Sequence, residues 1–334
     1  MSSATRRTRV GVVGAGALGY HHIRLLRDLP NVELAGFFDL APVRAGTVAS
    51  ELQVKARGSL EELLSDVDAV SVVVPTTSHH VVAREAIDRG KHVFVEKPLA
   101  STLDEADDII EAARAAGVIV QTGHVERFNR AILAALPYVD SPRFIESDRL
   151  APFNPRGTEV AVVLDLMIHD IDLVRTLVGG HVADVTAVGV GVLTPSLDIA
   201  NARLTFDTGA VANITASRIS RERMRKVRIF QKSGYLSLDL AQGNGEFFRL
   251  RENLDLAELA KAPLSVEAFV ERVALDGPAQ EPLRVELESF VAAVRGEQTV
   301  AVSGEDGREA LAVAHRIMRD IERTMPALTG TLGA

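Results

Sequence analysis

Residues Gly14-Ala15-Gly16-Ala17-Leu18-Gly19 constrain this chain more than any other segment. They follow a short apolar run, Arg9–Val13, and open a segment with helical apolar spacing at Leu18, Ile23, Leu25, Leu26 and Leu29, which Pro30 stops. The G-x-G-x-x-G pattern is weak alone. Between a strand and a helix it is the fingerprint of a dinucleotide-binding turn. The first glycine allows the tight turn, the second lets backbone approach a pyrophosphate, and the third lets helix and strand pack closely. At Ala17 and Leu18 the helix start presents open N–H groups and a positive dipole end to phosphate. Asp39 closes the next strand, Val32–Phe38, twenty residues beyond the last glycine, where an acid takes the ribose 2′-hydroxyl. A carboxylate there repels a 2′-phosphate, so NAD is the expected cofactor and NADP is disfavoured. Arg44, the nearest cation, leaves dual use open.

The same alternation continues. Ala69–Val74 is a continuous apolar run, as in a strand buried on both faces. Ser78–Arg89 reads as helix ending at Gly90, His92–Val95 as strand, Leu103–Ala116 as helix ending at Gly117, and Val118–Gln121 as strand. Strand–helix repetition predicts a parallel, doubly wound Rossmann sheet, hence an α/β fold class. The character then changes. Val160–Val178 has a long helical pattern, and after Gly179-Gly180 come alternating segments at Val182–Leu193, Ile199–Phe206, Ala210–Arg218, Val227–Gln231 and Tyr235–Leu240. Asp207-Thr208-Gly209 is a hairpin turn between two of them, and such short connections imply antiparallel strands. In this pair Ala202, Leu204, Phe206, Ala212, Ile214 and Ala216 form the face built for a core. Leu283–Arg295 and Glu305–Thr324 return to helix. The expected domains are 1–125, dinucleotide-binding, and 126–334, an α+β domain for substrate and oligomerisation whose last helices pack back on the first. Gly189-Val190-Gly191 lacks a third glycine and is a decoy.

Composition excludes several classes. With 334 residues, 47% of them apolar, the chain has ample material for a core. A net charge of −8 and the absence of Trp leave no basic or aromatic platform for nucleic acid. No apolar run approaches the ~18 residues of a membrane span. The absence of cysteine removes thiolate zinc sites, disulfides and a cysteine nucleophile, and fits a cytoplasmic location. Arg6-Arg7 precedes a strand and a glycine turn, not the apolar stretch of an export signal, so residues 1–8 are expected to be a tail.

Four further segments carry a resemblance. Gly90-Lys91-His92-Val93-Phe94-Val95-Glu96-Lys97-Pro98-Leu99, Pro75-Thr76-Thr77-Ser78-His79, Gln121-Thr122-Gly123-His124-Val125-Glu126-Arg127-Phe128-Asn129 and Asp165-Leu166-Met167-Ile168-His169-Asp170 resemble motifs of the Gfo/Idh/MocA oxidoreductase family. The resemblance implies an NAD-dependent dehydrogenase acting on an alcohol. It implies a second domain with an open antiparallel sheet that pairs subunits into dimers or tetramers, and a cis Lys97-Pro98 peptide. It places Lys97 beside the nicotinamide, with Pro75, Thr76, His79, Glu96 and Gln121 among the cofactor contacts and Arg127, Asn129 and Arg156 among the substrate contacts. Phe153–Thr158, Val163–Val174 and Ser217-Arg218 resemble members that oxidise the 3-hydroxyl of UDP-N-acetyl-amino sugars, whose products feed lipid A or surface-glycan synthesis. UDP-N-acetylglucosamine is therefore the leading substrate. A free-sugar or inositol dehydrogenase, or an NAD(P)-sensing regulator, are the alternatives.

On their own terms, Asp165, His169 and Asp172 share one helix face opposite the apolar Leu164, Ile168, Ile171 and Val174. A histidine one turn from a carboxylate is oriented by it and suits a base that takes an alcohol proton. Such a face also arises as a merely solvated one, or as a metal site. No further ligand cluster supports a metal, and none is expected. Lys97 follows a strand at a Pro turn, a position suited to acid/base work or hydrogen bonding. The expected roles are Lys97 and His169 managing the hydroxyl proton and Asp165 orienting His169. His79 is expected to make a structural or cofactor-proximal bond, and His80 to lie on a helix surface. Arg218, Arg221, Arg223, Arg225, Lys226 and Arg228 cluster within eleven residues and, with Arg127, Arg130, Arg149 and Arg156, offer guanidinium groups for phosphate or merely a solvated surface.

Overall fold

The computed structural model describes residues 6–155, 160–251 and 269–324. The chain folds as two compact units, Met1–Val125 with Gln280–Ala312, and Glu126–Ala279 with Val313–Ala334.

The first unit is built on a parallel sheet of β1 (Thr8–Val13), β2 (Val32–Phe38), β3 (Ala69–Val72), β4 (His92–Glu96) and β5 (Val120–Gly123), in the order β2-β1-β3-β4-β5. Its helices are α1 (Ala17–Arg27), α2 (Pro42–Leu52), α3 (Leu60–Ser65), α4 (His79–Asp88), α5 (Leu103–Ala116) and, from later in the chain, α8 (Pro282–Val294). Every residue of β3 is buried, because a central parallel strand is covered on both faces. The core joins Val10, Val12, Ile23, Leu26, Phe37 and Phe94 to Leu287, Phe290 and Val291 of α8. Local chemistry fixes the helix ends. Thr102 and Glu105 form a reciprocal capping box at the start of α5, and Gly117 ends it in the left-handed region at φ 66°. The chain order reverses between β1 and β3, and in such sheets ligands bind beyond the carboxyl ends of the strands at that point. Thr8 already belongs to β1 and Arg6 pairs with Asp68, so the expected tail is shorter than residues 1–8.

The second unit holds an eight-stranded sheet in the order β13-β12-β11-β10-β6-β9-β8-β7. Its strands are β6 (Phe144–Leu150), β7 (Val182–Val190), β8 (Ile199–Phe206), β9 (Val211–Ser217), β10 (Met224–Gln231), β11 (Gly234–Asp239), β12 (Asn244–Leu250) and β13 (Val270–Asp276). All neighbours are antiparallel except β6 and β9. Ala202, Leu204, Phe206, Ala212, Ile214 and Ala216 are all buried. The edge strand β7 is held by α9 (Gly304–Thr324): Asp320 accepts the Ala187 N–H at 2.8 Å, and Arg316 donates to the Val182 carbonyl at 2.6 Å. Such cover blunts an edge that would otherwise invite pairing. Gly189-Val190-Gly191 lies at the end of β7, with Gly189 facing Ile321 and Leu197, and is no phosphate loop.

Two of the departures from the sequence reading bear on the site. The central strand β6 has no apolar alternation. The helix expected over Val160–Val178 is instead a π turn, Val163–Met167, followed by α7 (Ile168–Val178).

Candidate active site

The glycine turn grows directly out of β1. Gly14 has φ +96°, and a Cβ there would sit 2.4 Å from the Val73 carbonyl. A Cβ on Gly19 would sit 2.1 Å from the Gly14 carbonyl. Both glycines are therefore demanded by the protein's own packing. Gly16 is different: nothing lies within 4 Å of where its Cβ would be. The free space at Gly16 is the approach a pyrophosphate needs, so the residues present fit a dinucleotide. No side chain caps the start of α1, leaving the N–H groups around Ala17, Leu18 and Gly19 for an anion. Asp39 closes the turn from the side, accepting the Ala15 N–H at 2.6 Å and the Ala41 N–H at 2.8 Å. Leu40 and Val43 stand almost fully exposed next to it, at 89% and 85%, and offer apolar walls for a purine. The sequence reading did not single them out, although exposed aliphatics beside an expected ribose acid are a usable signal. Arg44 lies below the turn, donating to the Ala15 carbonyl at 2.7 Å, with its guanidinium 6.0 Å from the Tyr20 ring. Pro75 and Thr76 open the short 3₁₀ turn that follows β3.

Lys97 is half-buried at the end of β4, and its peptide to Pro98 is cis. Two neighbours of Lys97 are tied into the protein itself. His79 presents neither ring nitrogen outward: Nδ1 meets the Pro98 carbonyl at 2.8 Å and Nε2 the Val74 carbonyl at 2.9 Å. Burial pushes His79 below the usual histidine range, against the pull of those carbonyls. It is a brace between two turns. Glu96 is only 6% exposed, and its carboxylate meets His22 Nε2 at 3.1 Å and accepts the Lys97 N–H at 3.2 Å. It too is held inside the unit. Gln121 is fully buried within β5 and donates to the Glu286 carbonyl at 3.3 Å, leaving Oε1 as a buried acceptor with no hydrogen-bond partner among the described residues. His80 pairs with Asp108 on the surface.

In the second unit Asp165 sits inside the π turn and His169 in the first turn of α7. The Ile168 N–H reaches back to the Val163 carbonyl, the i→i−5 bond that widens the helix by one residue. π turns of this kind recur at functional sites. Two ion pairs pin the helix just beyond His169. Asp170, 2% exposed, binds Arg149 of β6 at 2.6 and 3.2 Å and accepts Ser147 Oγ at 2.8 Å. Asp172, 1% exposed, takes Arg127 bidentately at 2.7 and 2.5 Å. Asp172 is thus a buried pin and not a member of an open face with Asp165 and His169. Burial opposes the charge on Arg149, but Asp170 and Glu126 outweigh it and hold the guanidinium above its ordinary range.

These pins also engage two of the expected substrate contacts. Arg127 forks onto Asp172. Asn129 is 5% exposed; it donates to Glu126 at 3.0 Å and to the Leu240 carbonyl at 2.9 Å, and accepts the Ala131 N–H as the cap of α6 (Arg130–Ala135). Both act as struts. Arg156 lies outside the described residues. Several of the arginines are engaged by the protein itself: Arg218 donates to the Val160 carbonyl, Arg228 pairs with Glu146 at 2.6 Å, Arg225 approaches Glu126 at 3.5 Å, and Arg130 binds the Gln242 carbonyl. Arg221 and Arg223 are exposed. Among the described residues no group of acids and histidines is arranged to hold a metal, and no helix is long and apolar enough to cross a membrane.

Two family models match the chain: the Gfo/Idh/MocA oxidoreductase family, NAD-binding Rossmann fold, over residues 8–124, and the family's C-terminal domain over residues 143–237. The chain belongs to the Gfo/Idh/MocA family. It is an oxidoreductase of the dehydrogenase type. It is 37% identical to a UDP-N-acetylglucosamine 3-dehydrogenase of Acidithiobacillus ferrooxidans, over 94% of this chain and 97% of that protein. A solved structure of that enzyme, GnnA, superposes with a TM-score of 0.87 at 36% identity, covering 95% of this chain and 98% of that one. A myo-inositol 2-dehydrogenase of Thermotoga maritima is 28% identical over 94% of this chain and 96% of that protein.

Proposed function

We propose that the protein oxidises the 3-hydroxyl of a UDP-N-acetyl-amino sugar, UDP-N-acetylglucosamine first, using NAD. The observation that carries this reading is the likeness to the Acidithiobacillus enzyme along both units, at 37% identity over 94% of the chain. Bound, the nicotinamide supplies the hydride acceptor. The chain's own residues bind and orient. The turn Gly14–Gly19 holds the pyrophosphate, Asp39 the adenosine ribose, and Pro75, Thr76 and Gln121 line the cofactor. Lys97 and His169 together take the hydroxyl proton, and Asp165 orients His169. His79, Glu96, Arg127 and Asn129 hold these groups in place. Arg221, Arg223 and Lys226 are exposed cations of the cluster and suit a diphosphate. The outward face of β8 and β9, with Asn201, Arg203, Asn213 and Thr215, is the surface through which subunits pair.

NADH formation with UDP-N-acetylglucosamine, set against free myo-inositol and glucose, tests the substrate. Oxidation of the nucleotide sugar is the expected result. Activity on the free polyols alone overturns it and favours the reading that the inositol dehydrogenase relatives suggest. Tight NAD binding without turnover on any of them favours a sensor.

Cofactor choice has its own test. Asp39→Asn keeps an acceptor for one backbone N–H but removes the charge that repels a 2′-phosphate. The ratio of kcat/KM for NAD over NADP is expected to fall roughly tenfold or more, in keeping with the loss of a hydrogen bond to a charged group. An unchanged ratio places cofactor discrimination elsewhere, with Arg44 the first residue to examine.

A further inference from the structure

His22 is fully buried on the inner face of α1, in line with Gly19, Ile23 and Leu26. Its ring packs edge-on against Phe94, with centroids 5.5 Å apart. Nδ1 meets Ser71 Oγ at 2.8 Å and Nε2 meets Glu96 Oε1 at 3.1 Å. The other carboxylate oxygen of Glu96 takes the backbone N–H of Lys97. A buried carboxylate is costly unless each oxygen is satisfied, so this one needs both partners. The pocket around it is shaped for it: a Cβ on Gly123 would lie 2.9 Å from the Glu96 carboxyl group, so only glycine leaves room on that side. Three strands and a helix therefore cooperate to place one carboxylate directly behind the residue at the end of β4.

We infer that His22 is a positioning residue for Lys97, acting through Glu96. Ser71 fixes the imidazole, the imidazole fixes one oxygen of Glu96, and the other oxygen fixes the backbone from which Lys97 projects. The inference rests on Lys97 being the group that works at the reacting alcohol. A shift of about 1 Å in such a group costs on the order of 10²-fold in rate.

Two variants separate positioning from mere packing. His22→Gln sets an amide donor near the place of Nε2, within reach of Glu96. His22→Asn sets one near the place of Nδ1, within reach of Ser71 only. In His22→Asn, kcat is expected to fall roughly 10- to 100-fold with KM for the sugar and NADH affinity held within about threefold. His22→Gln is expected to recover most of the loss. A second readout needs no substrate. After reductive ¹³C-methylation, the Lys97 resonance, assigned by its absence in Lys97→Met, should move in His22→Asn and return towards its native position in His22→Gln. Wild-type kcat in His22→Asn, or an unmoved Lys97 resonance, overturns the inference. So does an equal loss of kcat and NADH affinity in both variants, which marks a purely structural role. Should the wild type oxidise no sugar, the functional reading fails while the resonance still decides whether His22 positions Lys97.

Discussion

Lys97→Met is expected to lower kcat by roughly 10²- to 10⁴-fold, the range that a positioned acid or base contributes. The variant keeps the aliphatic stem and loses only the ammonium group. His169→Ala should fall in the same range, because it removes the imidazole while α7 remains pinned by Asp170 and Asp172. Neither change touches the glycine turn or Asp39, so NADH binding, followed by its fluorescence, should stay within about threefold. The two effects should combine to less than their product, since groups that manage one proton act as a unit. A proton count supports the pairing of roles: oxidising an alcohol to a ketone releases one proton from oxygen as hydride leaves carbon, and that proton needs a receiver in the site. Full turnover in both variants would remove the assignment. Loss of NADH binding in Lys97→Met would instead make Lys97 a cofactor residue and leave the proton to His169.

The first unit was largely legible in the sequence for a physical reason. Central parallel strands are buried on both faces and so appear as unbroken apolar runs, and α4 and α5 run out at Gly90 and Gly117. Leu103–Ala116 stands where the pattern puts it because Thr102, Glu105 and Gly117 mark both ends chemically. The second unit was less legible. Phe144–Leu150 carries Glu146, Asp148 and Arg149, which argue against a central strand. It is central all the same, because Ser147 and Arg149 point inward to partners more than twenty residues away, at Asp170 and Glu126. No local pattern announces a partner at that distance. The π turn at Val163–Met167 is similar: its residues read as ordinary helix, and the extra residue shows only in the backbone bonds.

The site divides in the same way. Residues demanded by backbone geometry, such as Gly14, Gly19 and the Asp39 that ties off the turn, could be found from spacing. Residues that work through other residues could not. His22 left one trace, a polar side chain on the apolar stripe of α1, which calls for a partner wherever it occurs. The arginine cluster was ambiguous for the same reason. Proximity in sequence left a phosphate platform and a solvated surface both open, and the fold divides the cluster: Arg218, Arg225 and Arg228 each turn to a separate oxygen of the protein. A cation becomes available to a ligand only when the fold leaves it without an acid of its own.

Arg149→Met is the change expected to cost most in stability. It leaves Asp170 and Glu126 buried with one of their principal partners gone, and breaking a buried pair of this kind typically costs about 3–5 kcal/mol. Ser147 and Asn129 still donate to these acids, and Arg225 lies 3.5 Å from Glu126, so the loss should fall at the lower end of that range. Urea denaturation should show it as a lower midpoint with an unchanged slope. The double variant Arg149→Met with Asp170→Leu removes both charges of the main pair and should recover a large part of the loss, because apolar replacement of a buried pair is often close to neutral. Activity is expected to behave differently. Asp170 follows His169 directly, so a helix no longer tied to β6 should hold the imidazole less firmly, and kcat should stay depressed in the double variant even where stability returns. Recovery of both together would show that Asp172 and Arg127 suffice to place α7. A single variant as stable as the wild type would mean that the Arg149 pair adds nothing to the fold beyond the packing around it.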